Sequence, residues 1–180
     1  MNSTEAKVLV KWAYRVHLLE TWLVDYRTQS LSDFYALTPF NWQVAAIKRY
    51  TRLKYPILLE EMDASSIGLD QVGRSDVGDR YTPLTAGTFT TCQGLERGYS
   101  LVSLTRSSIF NDLPGRTDPG IVNEKGVCTA LTRGMRGAVL IGDVGFYTAA
   151  SGGAEGYMGK LSRCAQATHS YFEVSAALVF

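Results

Sequence analysis

The chain has 180 residues, 46% of them hydrophobic and 19% charged, and carries a formal net charge of +1. A chain of that length and composition buries a proper core, which excludes disorder as its resting state. The near-neutral balance excludes a chain-wide electrostatic drive toward nucleic acid or an anionic membrane, so only local patches are left to read.

Taken from the start, the first twenty-six residues are rich in apolar side chains, but Lys7, Lys11, Arg15, Glu20 and Asp25 interrupt them. A signal peptide needs about 7–15 uninterrupted apolar residues and a membrane span about 18 or more, so neither is expected here. Without a secretory signal, Asn2-Ser3-Thr4 reads as an accidental match to a glycosylation acceptor. Asn2 and Glu5 have capping-box spacing. Leu9, Trp12, Val16, Leu19, Leu23 and Tyr26 then recur at helical intervals, and Val8, Leu18 and Trp22 widen the stripe. A surface that broad calls for more than one neighbour.

Ser30 or Ser32 is expected to start a short turn through Asp33 to Leu37, broken by Thr38-Pro39. Asn41 is expected to cap a second helix to about Lys54, with Trp42, Ala45, Ala46, Tyr50 and Leu53 on one face, before Tyr55-Pro56 interrupts it. All 17 glycines lie from Gly68 onward, whereas Trp12, Trp22 and Trp42 all precede it. Glycine is costly inside helices and useful in tight turns, so its distribution divides the chain. Residues 1–62 read as a helical arm, 63–79 as a linker loop and 80–180 as a β domain. The fold class expected is α+β, a helical hairpin followed by a glycine-rich antiparallel β domain in the form of a small barrel or sandwich.

Within that β domain the strand candidates are Thr88 to Thr91, Tyr99 to Thr105, Ala138 to Ile141, Gly145 to Thr148 and Tyr171 to Phe180. The last has the period-two alternation of a half-buried strand. Pro114-Gly115 and Pro119-Gly120 place an exposed loop between Asn111 and Gly120. Cys92, Cys128 and Cys164 are evenly spaced at 36 residues, and each is followed by a similar stretch: Leu95-Glu96-Arg97-Gly98, Leu131-Thr132-Arg133-Gly134 and Ala167-Thr168-His169-Ser170. This spacing reads either as a repeat of similar hairpins, with the cysteines as small buried hydrophobes, or as coincidence in a small alphabet. An odd number of cysteines argues against a secreted disulfide framework and fits a reducing compartment.

The sequence contains no recognisable catalytic motif. His17 reads as a helix packing residue and His169 as a turn residue. Cys164 with His169 is the one nucleophile pair that can be proposed, and no two cysteines or histidines have zinc-ligand spacing. Gly152-Gly153 to Gly159 is glycine-rich but follows an expected strand without opening a helix, so it reads as a loop and not as a dinucleotide fingerprint. Neither a metal nor a cofactor is expected. Lys48, Arg49, Arg52 and Lys54, interleaved with Tyr50 and Tyr55, form the densest charge feature. They read as a phosphate grip, as a contact for an acidic partner protein, or as the solvated face of an amphipathic helix.

From about residue 83, the chain resembles the small capsid-decoration or cement proteins of tailed bacteriophages. The residues that carry the resemblance are Ile141-Gly142-Asp143 leading into Phe146-Tyr147, then Ser151-Gly152-Gly153, then Gly159 through Arg163-Cys164-Ala165-Gln166-Ala167, then Phe172 to Leu178, with Thr85-Ala86-Gly87-Thr88-Phe89 as an opening strand. The resemblance implies a non-enzymatic virion protein that trimerises, binds the major capsid protein and stabilises the shell. It carries over no catalytic residue and leaves the helical arm unexplained. Trp12, Trp22, Trp42, Lys48, Arg49 and Arg52 are then the expected partner-binding residues. The chain would be made in a reducing cytoplasm, with no membrane partner. Two other readings stay open: a head-to-tail connector or nucleic-acid-binding component working through Lys48 to Lys54, and a small enzyme assembled from dispersed carboxylates with His169.

Overall fold

The run Phe34-Tyr35-Ala36-Leu37-Thr38 is buried at every position, the signature of a strand covered on both faces and not of a half-solvated antiparallel one. The computed structural model describes residues 3–24, 33–59, 62–63, 80–81, 83–105 and 124–171. The run forms β1 (Phe34–Thr38), an inner strand of a four-stranded sheet in the order β4-β1-β5-β6. The others are β4 (Leu84–Thr88), β5 (Arg97–Ser103) and β6 (Gly134–Ile141), and every neighbouring pair is parallel. The one antiparallel pair among the described residues joins the two-residue strands β2 (Met62–Asp63) and β3 (Arg80–Tyr81). The expected antiparallel barrel or sandwich is therefore corrected to a parallel α/β sheet.

Helices cover both faces. On the first lie α1 (Ser3–Val24), α2 (Asn41–Lys54) and a 3₁₀ turn at Pro56–Leu59. Ala6, Leu9, Val10 and Ala13 of α1 and Ile47 of α2 share one core there with Phe34, Ala36, Leu84 and Leu101. On the second lie α3 (Glu124–Leu131), α4 (Val144–Ala150) and α5 (Tyr157–Ala167). Val127, Ala130, Tyr147 and Met158 pack there against Tyr35, Leu37 and Val102. Alternate β1 side chains thus enter opposite cores, as the strand period requires.

Several further expectations are corrected. Asp33 to Leu37 is mostly strand and not a turn, so β1 separates α1 from α2 in sequence, and they sit side by side on the sheet. Thr88 to Thr91 is the end of β4 and a turn, and Gly145 to Thr148 is helical. The glycine-rich stretch from Gly152 follows a helix and leads into α5. Asn41 is the first residue of α2, whose cap position is Phe40, with no side-chain cap. The strands expected from Tyr99 and Ala138 are present as β5 and β6. Of the strand expected at 171–180, Tyr171 is described and lies outside any strand, while 172–180, the loop at 111–120 and most of the 63–79 linker lie outside the described residues.

The connections give the sheet its functional geometry. From β1 the chain crosses the first face through α2 to reach β4, whereas from β5 it crosses the second face through α3 to reach β6. Opposite directions on opposite faces give both crossovers the same hand, as chirality demands. Neighbouring strands β1 and β5 thus send their chains apart at their carboxyl ends. In parallel sheets that reversal opens the crevice where ligands bind.

Candidate ligand-binding edge and the outer face of α2

At the carboxyl ends of β1 and β5, a polar network is buried. Glu5, in the first turn of α1, is 7% exposed. Its Oε2 accepts hydrogen bonds from Ser103 Oγ and from the Thr105 backbone N–H, both at 2.7 Å. Gln43 Nε2 of α2 donates to Ser103 Oγ at 3.4 Å, and the Thr38 and Thr105 hydroxyls meet at 2.9 Å. Burial raises the Glu5 carboxyl to about 7 against the pull of its two hydrogen bonds, and the nearby Asp143 carboxylate raises it further. Thr105 has φ +78, left-handed backbone that a β-branched residue adopts only where its surroundings impose it.

Beside this network the carboxyl edge is lined with hydroxyls. Thr91 Oγ1 accepts from the Thr88 N–H at 2.8 Å, and Thr88 Oγ1 lies 2.9 Å from Thr90 Oγ1. Phe89 N donates to Thr38 O at 3.2 Å, which brings that turn against the end of β1. Two residues after β1, Phe40 and Trp42 stack with ring centroids 5.3 Å apart and planes 14° from parallel. Phe40 packs on the second-face core, and Trp42 is 42% exposed on top of it.

Trp42 begins a stripe on the solvent side of α2, where it is joined by Ala45 and Leu53, both expected with it on the apolar face. The buried residues of α2 are Gln43, Ile47 and Thr51. Trp42, Ala45, Lys48, Arg49, Arg52, Leu53 and Lys54 all face solvent, with Leu53 67% exposed. The expected apolar face is rotated by about one residue, or about 100°, because buried Gln43 and Thr51 do not look apolar: Thr51 satisfies itself on Ile47 O at 2.8 Å, and Gln43 joins the Glu5 network. No acidic residue occurs from Phe34 to Leu59. The outer face of α2 is therefore a basic surface, free of acidic residues on the helix itself, with an aromatic at its amino end.

The other expected site residues lie elsewhere. Trp12 is half-buried in the first-face core, edge-on to Phe34 at 6.2 Å and to Tyr99 at 6.0 Å. The Trp22 side chain lies outside the described residues. His17 is buried in α1, where burial pushes its imidazole below the ordinary value. Cys164 and His169 are both exposed at the end of α5, so no wall excludes water around them. Cys92 is buried in the turn after β4, while Cys128 and Cys164 are exposed on helices.

Two of the three cysteine segments do share a role, since each delivers an Arg-Gly pair to the amino end of a strand. Arg97 N donates to Arg133 O at 2.9 Å, which places the two arginine backbones side by side on β5 and at the start of β6. Arg97 pairs with Asp33 at 3.5 Å. Among the described residues, no group of three or more His, Cys, Asp or Glu is gathered for a metal, and no helix is long and apolar enough to cross a membrane. No protein-family model matches the chain, and no curated protein is significantly similar to it.

Proposed function

We propose that this chain is a nucleic-acid-binding α/β domain that takes phosphates along the outer face of α2 and a base against Trp42. The observation that carries the reading is the acid-free stripe from Trp42 through Lys48 and Arg49 to Arg52 on the solvent-exposed face of the helix. A helix-dipole role accounts for Arg52 and Lys54 in the last turn, but it does not explain an exposed tryptophan at the other end. From Trp42 to Arg52 the helix rises about 15 Å, about four nucleotides of a stacked strand. Cations that track a backbone beside an aromatic platform are how strands are held without sequence readout.

The antiparallel β domain expected alongside the virion reading is replaced by a parallel sheet, so the proposed function rests on the helix surface and not on the resemblance. Nucleic-acid binding requires only the surface that α2 presents.

The test is anisotropy of a fluorescein-labelled twelve-nucleotide oligonucleotide titrated with the intact chain between 50 and 200 mM salt. Binding is expected to weaken steeply with salt. The triple variant Lys48→Gln, Arg49→Gln, Arg52→Gln is expected to bind at least tenfold more weakly at low salt, with a slope shallower by about 2–3. Absence of binding at 50 mM salt, or a triple variant that binds like the parent, would overturn the reading.

A further inference from the structure

We infer that Glu5 is a positioning residue for the α2 surface, its carboxylate holding the first turn of α2 and Trp42 through Ser103 and Gln43. The inference rests on the nucleic-acid reading for what the surface binds, but the coupling itself is a property of the fold. Glu5 links the ends of β5 and β1 to the first turn of α2 through one set of polar side chains. Its Oε2 takes the Ser103 hydroxyl and the Thr105 N–H at the end of β5. The Thr105 hydroxyl reaches Thr38 at the end of β1, and Ser103 Oγ takes Gln43 Nε2 in the first turn of α2. Trp42 is the residue before Gln43, so whatever fixes the Gln43 side chain fixes the turn that presents the indole.

The direction of these bonds depends on the charge of Glu5. An ionised carboxylate only accepts, so Ser103 must donate to it and offer its lone pair to Gln43. The relay then runs one way, Gln43 N–H to Ser103 O–H to Glu5, and an anion at its end strengthens each link. Protonation removes the anion and lets the Ser103 hydroxyl turn, which loosens the hold on Gln43. The groups facing Glu5 include the neutral Ser103 at the end of β5 and Thr105 two residues on, neutral Gln43 through Ser103 from α2, and Asp143 from the turn before α4. Its own helix contributes the positive N-terminal dipole. With burial holding the carboxyl to about 7, the relay switches within the neutral range.

Two measurements on the intact chain test this. In the first, affinity for the labelled twelve-nucleotide strand is followed from pH 6.0 to 8.5 at constant ionic strength. It is expected to rise about fivefold with pH in the parent and to stay flat in Glu5→Gln. A basic surface alone gives the opposite trend, because protonation only adds positive charge. In the second, the Gln43 side-chain amide and Trp42 indole N–H resonances are followed over the same range without ligand. They are expected to shift with a midpoint near 7 in the parent and not in a folded Glu5→Gln. If those resonances do not titrate in the parent, or titrate alike in the variant, the coupling is wrong even if nucleic acid binds. If they titrate as expected and no oligonucleotide binds, the coupling stands and the ligand class fails.

Discussion

Glu5 gives the protein a stability trend opposite to that of an ordinary paired carboxylate. Its pKa is about 7 in the folded chain against 4.5 for the free side chain, so between those values the folded state holds a proton that the unfolded state has lost. Stability contributed by the protonated form is complete below about pH 4.5 and is lost as pH rises through 7. Thermal unfolding followed by circular dichroism is expected to show the melting temperature falling from pH 5.5 to 8. In Glu5→Gln the fall is expected to flatten, with the variant at least as stable as the parent at pH 8. A parent whose melting temperature rises over that range would contradict the assignment. The same side chain thus costs stability where it is expected to organise the binding surface, a trade common at functional sites. Gly134 shows a different single-residue constraint. It sits where β6 bulges against β5, and a Cβ there would lie 2.0 Å from Gly137 O and 2.7 Å from Ser100 N. The glycine that opens β6 therefore has a steric reason of its own.

Single elements show what was legible in the sequence and what hid the rest. Helix α2 is found over the expected Asn41–Lys54 span, because none of its residues is Pro or Gly and Pro56 follows closely. Its facing differs from the apolar pattern because the two buried polar residues, Gln43 and Thr51, carry no hydrophobic signal. β1 was hidden by its completeness: a strand buried on both faces shows no alternation, and five residues are too few to separate strand from turn by period. The signal present was a short apolar run, Phe34 to Leu37, bounded by Ser32-Asp33 and Pro39. Phe146 and Tyr147 favour strands, which is why the sequence predicts a strand where α4 stands, although Asp143 supplies a helix start. Its Oδ1 accepts from Phe146 N at 3.0 Å, satisfying one of the orphan N–H groups. Asp143→Ala is expected to cost about 1 kcal/mol, while Asp143→Asn, which still caps, is expected to cost only tenths. Urea unfolding of the two variants side by side checks this, and equal losses would mean that charge, and not capping, is what Asp143 supplies.

At the scale of the whole molecule, the three layers depend on one another. The glycine boundary marks a change in texture, but the first-face core crosses it: Leu9 and Val10 of α1 and Ile47 of α2 are fully buried with Leu84 and Leu101. A parallel sheet cannot leave a face to water, since its strands are apolar on both sides, and α1 covers the β5 and β6 side of that face. Burying one leucine or valine side chain contributes about 1.5–3 kcal/mol, so Leu9 and Val10 together contribute about 3–6 kcal/mol. A domain of this kind has about 5–15 kcal/mol in total. Removing α1 also exposes Phe34, Ala36 and Leu101 and takes Glu5 from the β5 end. A chain beginning at Tyr26 is therefore expected to lose cooperative unfolding and to bind hydrophobic dyes, and the expected loss includes the β5 and β6 resonances and not only those of the first face. If the truncated chain melted cooperatively with the parent's near-ultraviolet signal, α1 would be an appendage resting on a sheet stable by itself. The coupling of Glu5 to Trp42 would then join two parts that fold separately, and not two points of one core.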